Sequence, residues 1–155
     1  MRFAIGQPPI KNRKSQIANR KYMIRLEIVT PEKRVLDAEV DSVTVPTATG
    51  EAGILSNHAP LISALKPGVL TYSVKGTAEK LAVSGGFVEV NSDMVSVLVD
   101  SAETADEIDV SAAKSDMDMA EKAIAAAGLV AADESANSRD AVEHAAARLR
   151  IAAGK

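Results

Sequence analysis

Residues Met94–Gly128 read MVSVLVDSAETADEIDVSAAKSDMDMAEKAIAAAG, and within this stretch the hydrophobic period changes from two to about 3.6. Up to Val99 apolar residues alternate with others, as in a strand with one buried face. Beyond Asp109, the residues Ala113, Met117, Ala120, Ile124 and Ala127 recur at steps of four and three and make one helical stripe. Asp109 is placed as an N-cap, acids crowd the first turns, and Gly128 is placed to end the helix. The chain is therefore expected to divide into a β module over residues 23–104 and a helical module over 105–155.

Toward the N-terminus the period of two continues. Ile24-Arg25-Leu26-Glu27-Ile28 alternates apolar and charged residues, and Thr30-Pro31-Glu32-Lys33 reads as a turn. Val35 to Val45 alternates again, with Asp37, Glu39 and Asp41 on a wet face, until Pro46 and Gly50 end the strand. Val69–Val74, Lys80–Val83, Phe87–Val90 and Met94–Val99 follow, separated by Lys75-Gly76, Ser84-Gly85-Gly86 and Asn91-Ser92-Asp93. Short strands punctuated by Gly, Asn and Asp predict an antiparallel sandwich or barrel of about eight to ten strands. Toward the C-terminus a second helix is predicted, starting among Asp133, Glu134 and Ser135, with Val142, Ala145/Ala146, Leu149 and Ala152/Ala153 on one face. Two such helices with a short connection read as an antiparallel hairpin, so the fold class is α+β in two modules. Residues 102–155 hold 18 alanines and no proline. Alanine seams bury little area per residue, so this hairpin should detach more easily than the sandwich comes apart.

The composition removes several classes of function. There is no cysteine, hence no disulfide and no thiolate metal site or nucleophile. Residues 1–22 carry six basic side chains and no acid, which leaves 12 basic and 21 acidic residues in 23–155. An acidic body with no Trp, two Phe and two Tyr does not fit nucleic-acid binding. No apolar run reaches the ~18 residues of a membrane span, so membrane association is expected only through a partner complex. The basic leader, residues 1–22, is read as a disordered tail or a mis-called start, with Met23 opening the folded protein.

Catalytic constellations are absent. His58 lies in a loop and His144 on the second helix, where it reads as a solvated surface residue; no zinc or nucleophile motif accompanies either. Gly50-Glu51-Ala52-Gly53 and Ser84-Gly85-Gly86 read as turns, because neither runs into the helix N-terminus that a phosphate site uses. No cofactor and no metal are expected. One loop, Gly50–Gly68, combines an acid, a histidine, two prolines and a run of apolar residues, a pattern that marks contact surfaces as well as ordinary turns.

That loop, GEAGILSNHAPLISALKPG, followed by LAVSGGFVEV (Leu81–Val90) and VSVLVDSAETADEID (Val95–Asp109), resembles the ε subunit of bacterial F-type ATP synthase. The chloroplast ε and mitochondrial δ subunits belong to the same family. The resemblance implies a non-catalytic central-stalk subunit at the foot of the γ shaft, coupling proton-driven rotation of the c ring to ATP synthesis. It implies a peripheral place on the cytoplasmic face of the bacterial plasma membrane. By the same resemblance Glu51 and His58 face the polar loops of the c ring. The hairpin corresponds to a regulatory arm that extends along γ toward the catalytic α/β hexamer and hinders ATP hydrolysis. Members that bind ATP on this arm carry [IL]-D-x-x-R-A. Here the match is Ile108, Asp109, Val110, Ser111, Ala112, Ala113, with alanine in place of arginine. Without that guanidinium ATP binding is expected to be weak or absent. A free-standing ATP sensor and a small β-sandwich enzyme are the alternative readings. With only Arg139, Arg148 and Arg150 on the last helix, the grip on acidic surfaces of the hexamer is expected to be mild.

Overall fold

The computed structural model describes residues 22–127 and 132–154. The expectations for the leader and for Gly128 as a helix end lie outside these residues, as do those for the start of the second helix at the level of its side chains. The strands are β1 (Ile24–Val29), β2 (Arg34–Val40), β3 (Ser42–Thr47), β4 (Gly50–Ile54), β5 (Leu61–Leu65), β6 (Gly68–Val74), β7 (Thr77–Val83), β8 (Gly86–Asn91), β9 (Met94–Val99) and β10 (Ala102–Thr104). The helices are α1 (Val110–Ala127) and α2 (Ala132–Ala153).

The strands form one sheet in the order β10-β7-β6-β3-β5-β8-β9-β1-β2, with β4 added on β3. The sheet wraps around a single aliphatic core. Ile24, Leu26 and Ile28 of β1 enter it together with Val43 and Val45 of β3, Leu70 of β6, Val88 and Val90 of β8, and Val95, Val97 and Val99 of β9. Period two thus delivers one face of every long strand to the same interior. Lys75 and Gly76, both at positive φ, make the two-residue turn between β6 and β7, a conformation that suits the twist of a hairpin.

Four details depart from the sequence reading, the first being that Gly50-Glu51-Ala52-Gly53 is not a turn but lies in strand β4, paired with β3. The stretch Val35–Val45 is two strands. At Asp41 the chain leaves β1 and moves to β6: its N–H donates to the Ser73 carbonyl (2.7 Å), and its carboxylate accepts from the Gly76 N–H (3.1 Å). Pro46 does not end a strand but lies buried within β3, at the point where that strand changes neighbours from β6 to β5 and a ladder donor is dispensable. The β1–β9 pair is parallel, while the other pairs are antiparallel. The chain between β1 and β9 supplies the long crossover that a parallel pair requires.

The two helices pack on each other, and α2 packs on β6 and β7. On α1 the expected stripe is the inner face: Ala113 and Ala120 are buried, and Met117, Ile124 and Ala127 are half-buried. On α2 the expected single stripe is incomplete. Ala147, Arg148 and Ile151 are buried as well as Ala145, because α2 faces two neighbours and so buries two sides. The contact with the sandwich is small: Ala82, Ile108, Ala147 and Ile151, with Val69, Ala105 and Ala152 around them.

Candidate partner-binding surfaces

The Gly50–Gly68 stretch folds as β4, a turn over residues 55–60, and β5. Glu51 is exposed on β4, opposite Pro46, and among the described residues β4 pairs only with β3. Its side chain lines two grooves between the sandwich and α2, which it shares with Arg150. His58 lies in the turn, half-buried. Its N–H donates to the Leu55 carbonyl (3.2 Å), and its Nδ1 lies 2.7 Å from the Ala59 carbonyl. A carbonyl only accepts, so Nδ1 carries the proton. Asn57, at a φ of 60°, donates its N–H to the Asp93 carboxylate (3.0 Å). The Asp93 carbonyl in turn accepts from the Arg25 N–H (2.8 Å). The turn is thus tied to the β8–β9 connection and to β1. Neither groove that Glu51 lines includes His58. Four residue steps of extended chain, about 13 Å, lead from Glu51 to Leu55, where the turn begins.

A second surface was not singled out from the sequence. Pairing places Ala64 of β5, Phe87 of β8, Leu98 of β9 and Val29 of β1 side by side in one row across the outer face of the sheet. Ile62 stands in the next row, opposite Glu89. Ile62 is 76% exposed, Phe87 61% and Leu98 54%, so three large apolar side chains face water together. The row floors an apolar groove that continues to Pro31 and Gly86. Charge borders it on β1 and β2: Arg25 holds Asp37 through two 3.0 Å hydrogen bonds, and Arg34 holds Glu27 (3.0 Å). The Arg25 guanidinium keeps the Asp37 carboxyl below its ordinary pKa. The signal was present in the sequence: Phe87 and Leu98 occupy the outward phase of strands whose inward phase is Val88/Val90 and Val97/Val99.

The Ile108–Ala113 motif is absorbed by the fold. Ile108 is buried against the sandwich, and Asp109 caps α1 by accepting the Ala112 N–H (3.1 Å). Ala112 is half-buried and Ala113 fully buried. His144 is not the solvated residue expected. It is half-buried, with Nε2 3.4 Å from Ser101 Oγ. Burial lowers its pKa, and the charge of Arg148 lowers it further, against the pull of Glu103 and Asp116. Arg148 likewise does not face outward but is bound to Glu103 and Asp116. Among the described residues no group of three or more His, Asp or Glu side chains gathers as a metal site.

The family model described as "ATP synthase, Delta/Epsilon chain, beta-sandwich domain" matches residues 23–105, the sheet together with its last strand. The chain belongs to the ATP synthase delta/epsilon family. It is 44% identical over 131 residues to the ATP synthase epsilon chain of Geotalea uraniireducens, covering 84% of this chain and 94% of that one. It is 51% identical over 104 residues to the epsilon chain of Desulforamulus reducens, covering 67% and 79%. Among solved structures it resembles a chain in the cryo-EM structure of the Euglena gracilis mitochondrial ATP synthase with OSCP, F1 and the c-ring. That match has a TM-score of 0.69 and 24% identity, and covers 84% of this chain and 81% of that one. The family makes the chain an epsilon-type, non-catalytic subunit, and it lends no support to the ATP-sensor and enzyme alternatives.

Proposed function

We propose that this chain is a rotor subunit of the central stalk that joins the γ shaft to the ring of c subunits, so that proton-driven rotation is coupled to ATP synthesis. The observation that carries the reading is the exposed row Ala64–Phe87–Leu98–Val29 with Ile62 beside it, in a chain of the epsilon family. Large aromatic and aliphatic side chains within a charged border have the anatomy of an interface centre. The occupant proposed for it is the γ shaft. The c ring is met separately, at the His58 turn and at Glu51 on the edge strand β4. In this reading the hydrogen bond of His58 to Leu55 closes the turn, and that of Asn57 to Asp93 braces it against the sandwich.

The sandwich, residues 23–104, is the fixed body in this reading. The hairpin, residues 105–155, is the arm that regulates ATP hydrolysis through the catalytic α/β hexamer. No described helix is long and apolar enough to cross a membrane. In this reading, which rests on membership of the epsilon family, the chain sits peripherally on the cytoplasmic face of the bacterial plasma membrane, held there by its partners. Co-purification tests the assignment: the chain should be retained by immobilised γ, and failure to bind γ would contradict it.

A further inference from the structure

We propose that Arg148 is a latch that holds the helical hairpin on the sandwich, with one arm of its guanidinium closing on Glu103 of β10 and the other on Asp116 of α1. The inference rests on the reading of the hairpin as a movable arm and names what holds it down.

Arg148 is 8% exposed, although arginine is seldom buried without partners. Its Nε donates to Glu103 Oε2 at 2.6 Å and its Nη1 to Asp116 Oδ2 at 3.0 Å. The planar fork of arginine reaches two acceptors in different directions at once, which a lysine could not do in the same way. The two arms have different consequences. Asp116 and Arg148 both belong to the hairpin, so that bond survives when the hairpin lifts away as a unit. Glu103 belongs to the sheet, so its bond must break.

The spacing of the elements matches. His144 and Arg148 lie four residues apart on α2, about 6 Å along the helix. Their partners Ser101 and Glu103 lie two residues apart on extended chain, about 6.6 Å. One face of α2 is therefore in register with the strand edge beside it. Apolar docking is thin by comparison, because Ala82, Ala147 and Ile108 with a single further isoleucine, Ile151, make up its buried part. A buried charge stripped of its partner is poorly tolerated, so the Glu103–Arg148 bond has a large share in deciding whether the hairpin is docked or lifted.

The chain has no cysteine, so a single thiol placed under the hairpin reports opening without interference. Ala82→Cys, at a position 0% exposed and covered by the hairpin, would be labelled by a thiol reagent only when the hairpin lifts. In full-length protein on this background, Glu103→Gln should raise the labelling rate about tenfold or more. Asp116→Asn, whose partner bond stays within the hairpin and whose carboxylate is half in water, should change it by about twofold or less. Unchanged labelling in Glu103→Gln, or equal acceleration by Glu103→Gln and Asp116→Asn, would overturn the latch. Retention on γ, measured on the same proteins, separates the two readings: lost binding by the parent chain would remove the rotor assignment and leave the latch result standing.

Discussion

Gly86 of β8 lies directly against the carbonyl of Leu98 on β9, so close that a Cβ at position 86 would overlap the Leu98 carbonyl oxygen and come within 2.9 Å of Val99 Cα. The obstacle is backbone on a paired strand and cannot swing aside. Gly86→Ala is expected to cost about 3 kcal/mol or more of stability, measured by urea unfolding. Gly85→Ala should cost about 1 kcal/mol or less, because its Cβ would meet the Leu65 carbonyl at 3.4 Å. Ser84, which precedes the pair, accepts the Ser101 N–H on its hydroxyl (2.8 Å) and donates its own N–H to the Ser101 carbonyl (3.0 Å). The Ser-Gly-Gly run thus joins the base of β10 to the close approach of β8 and β9.

If the row on the outer face seats γ, Phe87→Ser and Leu98→Ser should weaken γ binding at least tenfold each, as loss of an interface anchor does. Both side chains are more than half exposed in the free chain, so folding stability should move by about 0.5 kcal/mol or less. Calorimetric titration with γ, paired with urea unfolding of the free variants, measures both effects. Parent-like binding in both variants would move the γ contact elsewhere.

His144 gives hairpin docking a pH dependence with a definite sign. In the docked state its pKa lies below its ordinary value, first through burial and then through Arg148. Lifting relieves the part of that burial which the sheet supplies, while Arg148 and Asp116 travel with His144 on the hairpin, so its pKa moves back up toward its ordinary value of about 6.5. The docked state therefore binds fewer protons, and docking is strongest above that value and weakens as pH falls from there toward the docked pKa. Glu103 and Asp116 oppose the shift without reversing it. Thiol labelling of Ala82→Cys should accelerate between pH 7.5 and pH 5.5, relative to a free-thiol control. His144→Gln should flatten that dependence.

Mg-ATP should not bind the isolated chain more tightly than millimolar. Asp109 is occupied in capping α1, and alanine stands at position 112, so the motif presents no guanidinium to a phosphate. Titration calorimetry checks this, and a micromolar dissociation constant would show the argument from Ala112 to be wrong.

Much of this architecture is local in origin and could be read before folding. Ile24-Arg25-Leu26-Glu27-Ile28 states its own buried face, and Asp109 followed by a 3–4 stripe states a helix start. What escaped depends on distant partners. Nothing within β1 or β9 declares that they pair in parallel, and nothing in Val35–Val45 declares that Asp41 is a corner bonded to Ser73 and Gly76. Arg148 and His144 look solvated in a helix full of alanine. They become buried only because α2 has a second neighbour, the sheet, which a single-stripe reading leaves out. Phe87 and Leu98 were visible as strand residues, but their meaning required β5, β8, β9 and β1 to be laid in register. For Glu51 and His58 the loop motif named the residues, while their separation along β4 emerges only from the fold.

The central claim is that this chain couples γ to the c ring. It is tested most directly by ATP-driven proton pumping in inverted membranes that carry a synthase depleted of its own epsilon subunit. Adding this chain should restore both pumping and sensitivity of ATP hydrolysis to block of the membrane sector, and the Phe87→Ser chain should fail to do so. Hydrolysis that stays uncoupled from pumping after the parent chain has bound would contradict the account.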